Sequence, residues 1–268
     1  MLAVVMALLL QPPESADEIM AKVAENMERA YEARSRYVYK QDVKGRLLRG
    51  NGKLSREEIR EYTVAPDAKG QKKELTKFEG RYEKGGKLHP YDKPGYQYKD
   101  TDIDGDLLSD LIDDLVDDKE SKDGMEMDTF PLRRGKLEKY SFKLEETKAY
   151  RGRQVHRITY KPKDKEDWDW KGEVIVDAEE YQPVSVSSKM SRGIPMAVKV
   201  LLGTDIKQLG MSIDYQRVDK DLWFPVSYGT EFYVRAVFFY ARTITMSAKN
   251  SDFRLTDVTS SITYDAKY

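Results

Sequence analysis

The sequence predicts an α+β protein: a large curved antiparallel β-sheet, an incomplete barrel of about 11 strands, covered on one face by amphipathic helices. Three observations predict it. From Arg36 onward, with one helical interruption, apolar residues recur with a period of two between Gly-, Pro- and Asn-bearing turns. Nearly all these runs are joined by short hairpin connections, which antiparallel neighbours allow, so the sheet reads as one meander. Each run alternates apolar with polar, as in a sheet with one face on a core and one in water. No repeat, low-complexity linker or composition break divides the chain, and one domain is expected over residues 14–268.

The elements follow in order. Leu2 to Leu10 is an unbroken apolar run stopped by Gln11-Pro12-Pro13. Nine residues make about 14 Å of helix against a bilayer core of roughly 30 Å, so residues 1–13 read as a signal peptide and not as a membrane span. Ser15-Ala16-Asp17-Glu18 is a capping box. Behind it Ile19, Met20, Val23, Met27, Ala30 and Tyr31 recur at helical spacing, predicting a helix over 15–33. RYVYKQDV, EEIREYTV and KKELTKFEGRY predict strands, and HPYDKPGYQY, with two prolines, predicts a loop. After an acidic stretch, strands are expected at KYSFKLEETKAY, RQVHRITYKP, GEVIVDAEE, PVSVSSKMS, MAVKVLL, LGMSIDYQRV, WFPVSYGTEFY, RAVFFYARTITMSA and FRLTDVTSSITY.

Alternation assigns the core face. Val184, Val186 and Met190 oppose Ser185, Ser187 and Lys189; Met211, Ile213 and Tyr215 oppose Ser212, Asp214 and Gln216. Phe224, Val226, Tyr228, Phe232 and Val234 share a face, and the same parity continues through Ala236, Phe238, Tyr240, Ile244 and Met246. The two helices either complete a dry core or, if the curved sheet is wider than they can fill, leave an apolar cavity. Its expected walls are Val184, Val186, Met190, Met211, Ile213, Phe224, Val226, Tyr228, Phe232, Val234, Phe238 and Tyr240.

The acidic stretch DTDIDGDLLSDLIDDLVDD poses a choice. Asp100, Asp102, Asp104 and Gly105 match the opening of a helix–loop–helix calcium site, but the position of its bidentate carboxylate is Leu111. On a helical wheel Leu107, Leu108, Leu111, Ile112, Leu115 and Val116 occupy one half, and Asp106, Asp110, Asp113, Asp114 and Asp117 the other. An amphipathic helix over 104–118 is the better reading, with its acids in water. It is the expected lid over the cavity.

Composition excludes several functions. Forty-six Lys and Arg against 47 Asp and Glu give a net charge of −1, which offers no global field to a polyanion, so no nucleic-acid partner is expected. Absence of Cys removes thiol catalysis, thiolate metal sites and a lipidated N-terminal cysteine. His89 and His156 lack a readable acid–nucleophile context, and no nucleophile elbow, zinc-protease helix or phosphate loop occurs. The chain is read as a non-enzyme without cofactor or resident metal. Trp168-Asp169-Trp170 reads as a loop whose indoles pack on the sheet's rim.

Several strings resemble the LolA/LolB-type family, the periplasmic carriers and receptors of lipoproteins in Gram-negative envelopes. They are the leader followed by ADEIMAKVAENMERA, the hairpin YSFKLEETKAYRGRQVHRITYKPK, the strand pair GEVIVDAEEYQPVSVSSKM and LWFPVSYGTEF. The resemblance implies an incomplete barrel around a cavity that takes acyl chains, and a soluble periplasmic monomer that carries lipoprotein or another acylated ligand between envelope donor and acceptor proteins. In such carriers an arginine ties sheet to lid; Arg36, Arg60 and Arg157 are the candidates here. Two alternatives stand beside the carrier: an RseB-like lipid-sensing regulator of envelope stress, and a calcium-binding envelope module using Asp100, Asp102 and Asp104.

Overall fold

Helix α1 (Ala16–Arg34) begins where the Ser15 hydroxyl accepts the Glu18 amide and the Glu18 carboxylate accepts the Ser15 N–H at 2.8 Å. The computed structural model that shows this describes residues 14–67, 70–100, 102–116, 133–165, 169–191, 204–220, 222–236 and 240–256. The apolar run 2–10, the strand expected at MAVKVLL, Phe238, Trp168 and the side chains of Leu115 and Val116 lie outside the described ones.

Behind α1 the chain forms β1 (Tyr37–Arg49), β2 (Leu54–Asp67), β3 (Gly70–Lys84) and β4 (Lys87–Tyr91). Helix α2 (Ile103–Val116) follows, and further on a 3-10 helix (Arg134–Lys139) leads into the second run of strands. These are β5 (Tyr140–Tyr150), β6 (Arg153–Pro162), β7 (Trp170–Asp177), β8 (Pro183–Met190), β9 (Thr204–Asp219), β10 (Leu222–Ala236) and β11 (Tyr240–Leu255).

All eleven form one antiparallel sheet in the order β4-β3-β2-β1-β11-β10-β9-β8-β7-β6-β5. The single meander expected from sequence is therefore corrected to two. β1 to β4 run outward to one edge, α2 and the 3-10 helix stand between β4 and β5 in the chain, and β5 to β11 run back until β11 pairs with β1. Hairpin connections reveal neighbours in sequence, whereas the β1–β11 seam joins residues about 200 apart and leaves no local signal. The sheet is open, with β4 and β5 at its edges, and is not a closed barrel.

Two other strand expectations change. His89-Pro90-Tyr91 belongs to a strand and not to a loop; Pro90 pairs with Arg81 on the outermost strand, where a missing N–H is tolerated. RAVFFYARTITMSA is split between β10 and β11. Ala236 pairs with Tyr240 across the hairpin, which is why the parity of the two strands continues.

The buried apolar residues fall into two clusters on one face. Val155, Ile158, Val174, Val176, Val184, Val186, Ile213, Tyr215 and Trp223 surround Ile19, Met20 and Val23 of α1. Val43, Leu47, Phe232, Val234, Ile244 and Met246 share a cluster with Leu108 and Ile112 of α2, with Leu107 and Leu111 packed against it; Phe224 belongs to its other end, beside Tyr37 and Tyr39. Tyr228 touches both clusters. Gly45 of β1 lies beneath α2: a Cβ there would stand 2.7 Å from Ile112 Cδ1 and 2.8 Å from Leu108 Cδ1. Only glycine lets this helix sit so close to the sheet.

Candidate functional site

The site is built on β2. Arg56, Glu58, Arg60, Tyr62 and Val64 alternate onto one face of it, charged at one end and apolar at the other. Arg56 and Glu58 are fully buried and Arg60 is 1% exposed. Buried charge persists only where it is paired and hydrogen-bonded. Here most partners come from α2 and the turn before it.

Arg56 donates to the Asp102 carboxylate and, at 2.7 Å, to the Tyr96 carbonyl, with its guanidinium 4.8 Å from the Tyr91 ring centre. Arg60 donates to Glu58 at 2.5 and 2.9 Å, to Ser109 Oγ at 2.9 Å and to Asp113 at 2.5 Å. Glu58 also accepts the Tyr91 hydroxyl at 2.9 Å. A third arginine, Arg242 of β11, reaches Asp104 at 3.0 Å, where Tyr240 donates at 2.8 Å and Ser55 also donates. Three sheet arginines thus hold three aspartates at or before α2.

Burial raises the Asp104 pKa, but the hydrogen bonds from Ser55, Arg242 and Tyr240 outweigh it, and the carboxyl titrates below the usual aspartate value. Burial and the Asp104 charge together push the Tyr240 phenol up, so it remains a donor. Gly105 has a structural reason of its own: a Cβ there would stand 2.8 Å from the Tyr96 carbonyl. These contacts replace the calcium reading. Asp102 and Asp104 already face arginine cations, Asp100 is exposed, and no group of three acids or histidines among the described residues could hold a metal.

The expected positions separate clearly. Val184, Val186 and Ile213 lie with α1, Phe232 and Val234 in the cluster that holds Leu108 and Ile112 of α2, and Phe224 at that cluster's other end, where Arg34 of α1 stands 5.8 Å from its ring centre. Met211 is buried and pairs with Ser188 and Thr230 between the two groups. Met190 is half-buried at the end of β8, and Val226 sits at a bulge between Pro225 and Ser227. Tyr240 departs from an apolar wall: its hydroxyl serves Asp104 beside a polar cleft of about 190 Å³ lined also by Arg49, Tyr82, Tyr98 and Lys99. On α2, Asp106, Asp110 and Asp114 are exposed as expected, whereas Asp113 turns to Arg60.

Of the three candidate arginines, Arg60 makes the sheet-to-helix link. Arg157 pairs with Glu173 at 2.6 Å and Glu146 at 3.6 Å in water, and Arg36 offers its carbonyl to Thr256. Arg56 and Arg242 were not legible. The available signal was the shared parity of Arg56, Glu58, Arg60, Tyr62 and Val64, which places three charges on a core face. His156 meets the Thr147 hydroxyl at 2.9 Å, and His89 stacks on Tyr82 at 5.4 Å.

No family model matches the sequence, and no curated protein does. Among solved structures the chain is similar to a putative outer membrane lipoprotein-sorting protein domain from Vibrio parahaemolyticus, at 11% identity and a TM-score of 0.38, covering 90% of this chain and 95% of that one. It is also similar to a LolA superfamily protein from Nitrosomonas europaea, at 10% identity and a TM-score of 0.32 over 91% and 95% of the two chains. A third likeness is to MucB in the MucA/MucB complex of Pseudomonas aeruginosa, at 9% identity and a TM-score of 0.24 over 88% and 94%. These likenesses concern the course of the chain, and no ligand or partner follows from them. No helix among the described residues is long and apolar enough to cross a membrane.

Proposed function

We propose that the protein is a non-enzymatic periplasmic carrier that buries an acyl chain, most simply that of a lipoprotein, between the core face of its sheet and helix α2. One observation carries this reading: α2 is held to the sheet by Arg56–Asp102, Arg60–Asp113 and Arg242–Asp104 beside the buried Leu108 and Ile112. Ion pairs are suited to a cover that must open, because both partners recover hydration when they part, whereas separated apolar surfaces recover nothing. Under the cover, Phe232, Val234, Ile244 and Leu47 offer the wall on which an acyl chain would replace Leu108 and Ile112. Each buried methylene contributes about 0.8 kcal/mol, so a lipid tail can compensate for displacing two aliphatic side chains.

Native mass spectrometry of the protein purified from an envelope fraction tests this directly. A co-purifying acylated species is expected, together with saturable binding of a fluorescent fatty acid or lipopeptide. Ligand-free protein that also refuses both probes would overturn the reading.

A further inference from the structure

We propose that the outer face of strands β5 to β8 is a docking surface for the anionic headgroups of a phospholipid bilayer. On this face, opposite the cluster of Ile158, Val174 and Val186, the alternating positions are rich in lysine. Lys171 and Lys189 are directly paired across β7 and β8, and Lys161 pairs with Ser141 across β6 and β5. Lys139 and Lys163 extend the array, joined by the Lys163 amide donating to the Lys139 carbonyl at 2.8 Å. A shallow hollow of about 450 Å³ lies among Lys143, Lys161, Lys171 and Lys189, with Ser141 and Thr159.

Among the described residues, much of this surface's positive charge has no carboxylate partner. The hollow's one carboxylate, Glu145, is engaged by Lys143 at 2.7 Å and by the Thr159 hydroxyl at 2.8 Å. Among the described residues Lys171 reaches the Ser191 carbonyl, at 3.3 Å, and no carboxylate. Among the described residues no carboxylate pairs with Lys161 or Lys189, both of which are exposed. Like charges directly opposite each other destabilise a sheet, so an external anion would relieve the Lys171–Lys189 pair. Further along the same face Glu173 and Glu146 are held by Arg157 at 2.6 and 3.6 Å, away from the lysines of the hollow.

The type of cation selects the partner. The hollow is lined by no arginine fork and no tryptophan, the groups that grip a single phosphate bidentately or stack bases. Flexible lysines spread over a broad sheet face suit a diffuse layer of negative charge, and a bilayer surface supplies one. Docking through this face leaves α2, on the opposite face, free to move. The inference does not require that α2 covers an acyl chain.

Co-sedimentation of the purified full chain with vesicles tests it. Binding is expected to phosphatidylcholine vesicles doped with phosphatidylglycerol, to fall steeply with added salt, and to be absent from phosphatidylcholine alone. Joint substitution of Lys161→Glu and Lys189→Glu is expected to weaken binding by more than about tenfold, while Lys87→Glu on β4 leaves it unchanged. Circular dichroism reports whether each variant is folded; should the double reversal unfold, Lys161→Gln with Lys189→Gln gives the same reading at smaller amplitude. Equal binding by wild type and folded variants, binding to neutral vesicles, or capture of polyglutamate or DNA but not of anionic vesicles would overturn the proposal. Failure of acyl-probe binding would leave these outcomes untouched.

Discussion

Helices α1 and α2 cover the same face of one sheet, yet they are attached by different physics. α1 buries Ile19, Met20 and Val23 completely against a cluster drawn mostly from β6 to β9. Its polar ties go mostly to carbonyls: Arg34 Nε to Trp223 at 2.7 Å, and Asn26 to Glu180 and Tyr181 at 2.7 and 3.0 Å. α2 completely buries only Leu108 and Ile112 among its described side chains and relies on paired charges. Fully burying an Ile, Leu, Met or Val contributes roughly 1.5–3 kcal/mol each. Lifting α1 therefore loses solvation energy that water does not return. Lifting α2 lets arginines and aspartates hydrate. A fold can keep one helix as wall and the other as door by this difference alone.

The largest effect is expected at Arg60. Arg60→Ala leaves Glu58 buried and uncompensated and should cost about 3–5 kcal/mol in denaturant melts. Adding Glu58→Gln, which can still accept from Tyr91, should recover much of that loss. If the double variant is as unstable as the single, charge compensation is not what Arg60 supplies.

Next in size is α1. Met20→Ala should cost about 2–5 kcal/mol and lower protection from hydrogen exchange throughout β5 to β9. Leu108→Ala should instead release exchange chiefly within α2 and the β1–β2 pair beneath it. Equal spread of the two effects would erase the distinction between wall and door.

Gly45→Ala attacks the door from below. The new methyl must displace Ile112 and Leu108, so a cost of about 1–3 kcal/mol is expected, with α2 cut faster in limited proteolysis while the sheet persists. Unchanged cleavage would mean that α2 accommodates the methyl in place.

The smallest effect concerns Glu180, at the β7–β8 turn beside α1. Arg217, Trp223 and Arg153 donate to it, and the Arg217 hydrogen bond chiefly lowers its carboxyl to about 2. Because the folded pKa is depressed, the stabilisation is complete above the usual glutamate value of about 4.3 and is lost as pH falls toward 2. Glu180→Gln should therefore melt lower than wild type by the equivalent of about 1 kcal/mol near neutrality, with the gap closing between these values. A gap that persists at pH 2 would point to altered packing instead of charge.

The sequence by itself determined the local features. The Ser15–Glu18 cap, the two amphipathic helices, the period-two strands and the one-sided apolar face each follow from neighbours a few residues apart. Tertiary structure decided the rest. Which strand β1 pairs with depends on residues about 200 positions away. Whether Arg56, Glu58 and Arg60 face water or core depends on what covers β2, and that cover is α2, whose own acids read from sequence as a solvated face. A charged side chain belongs in water until a partner of opposite sign accompanies it inside, and alternation along a strand places a residue on a face without saying what lies above it.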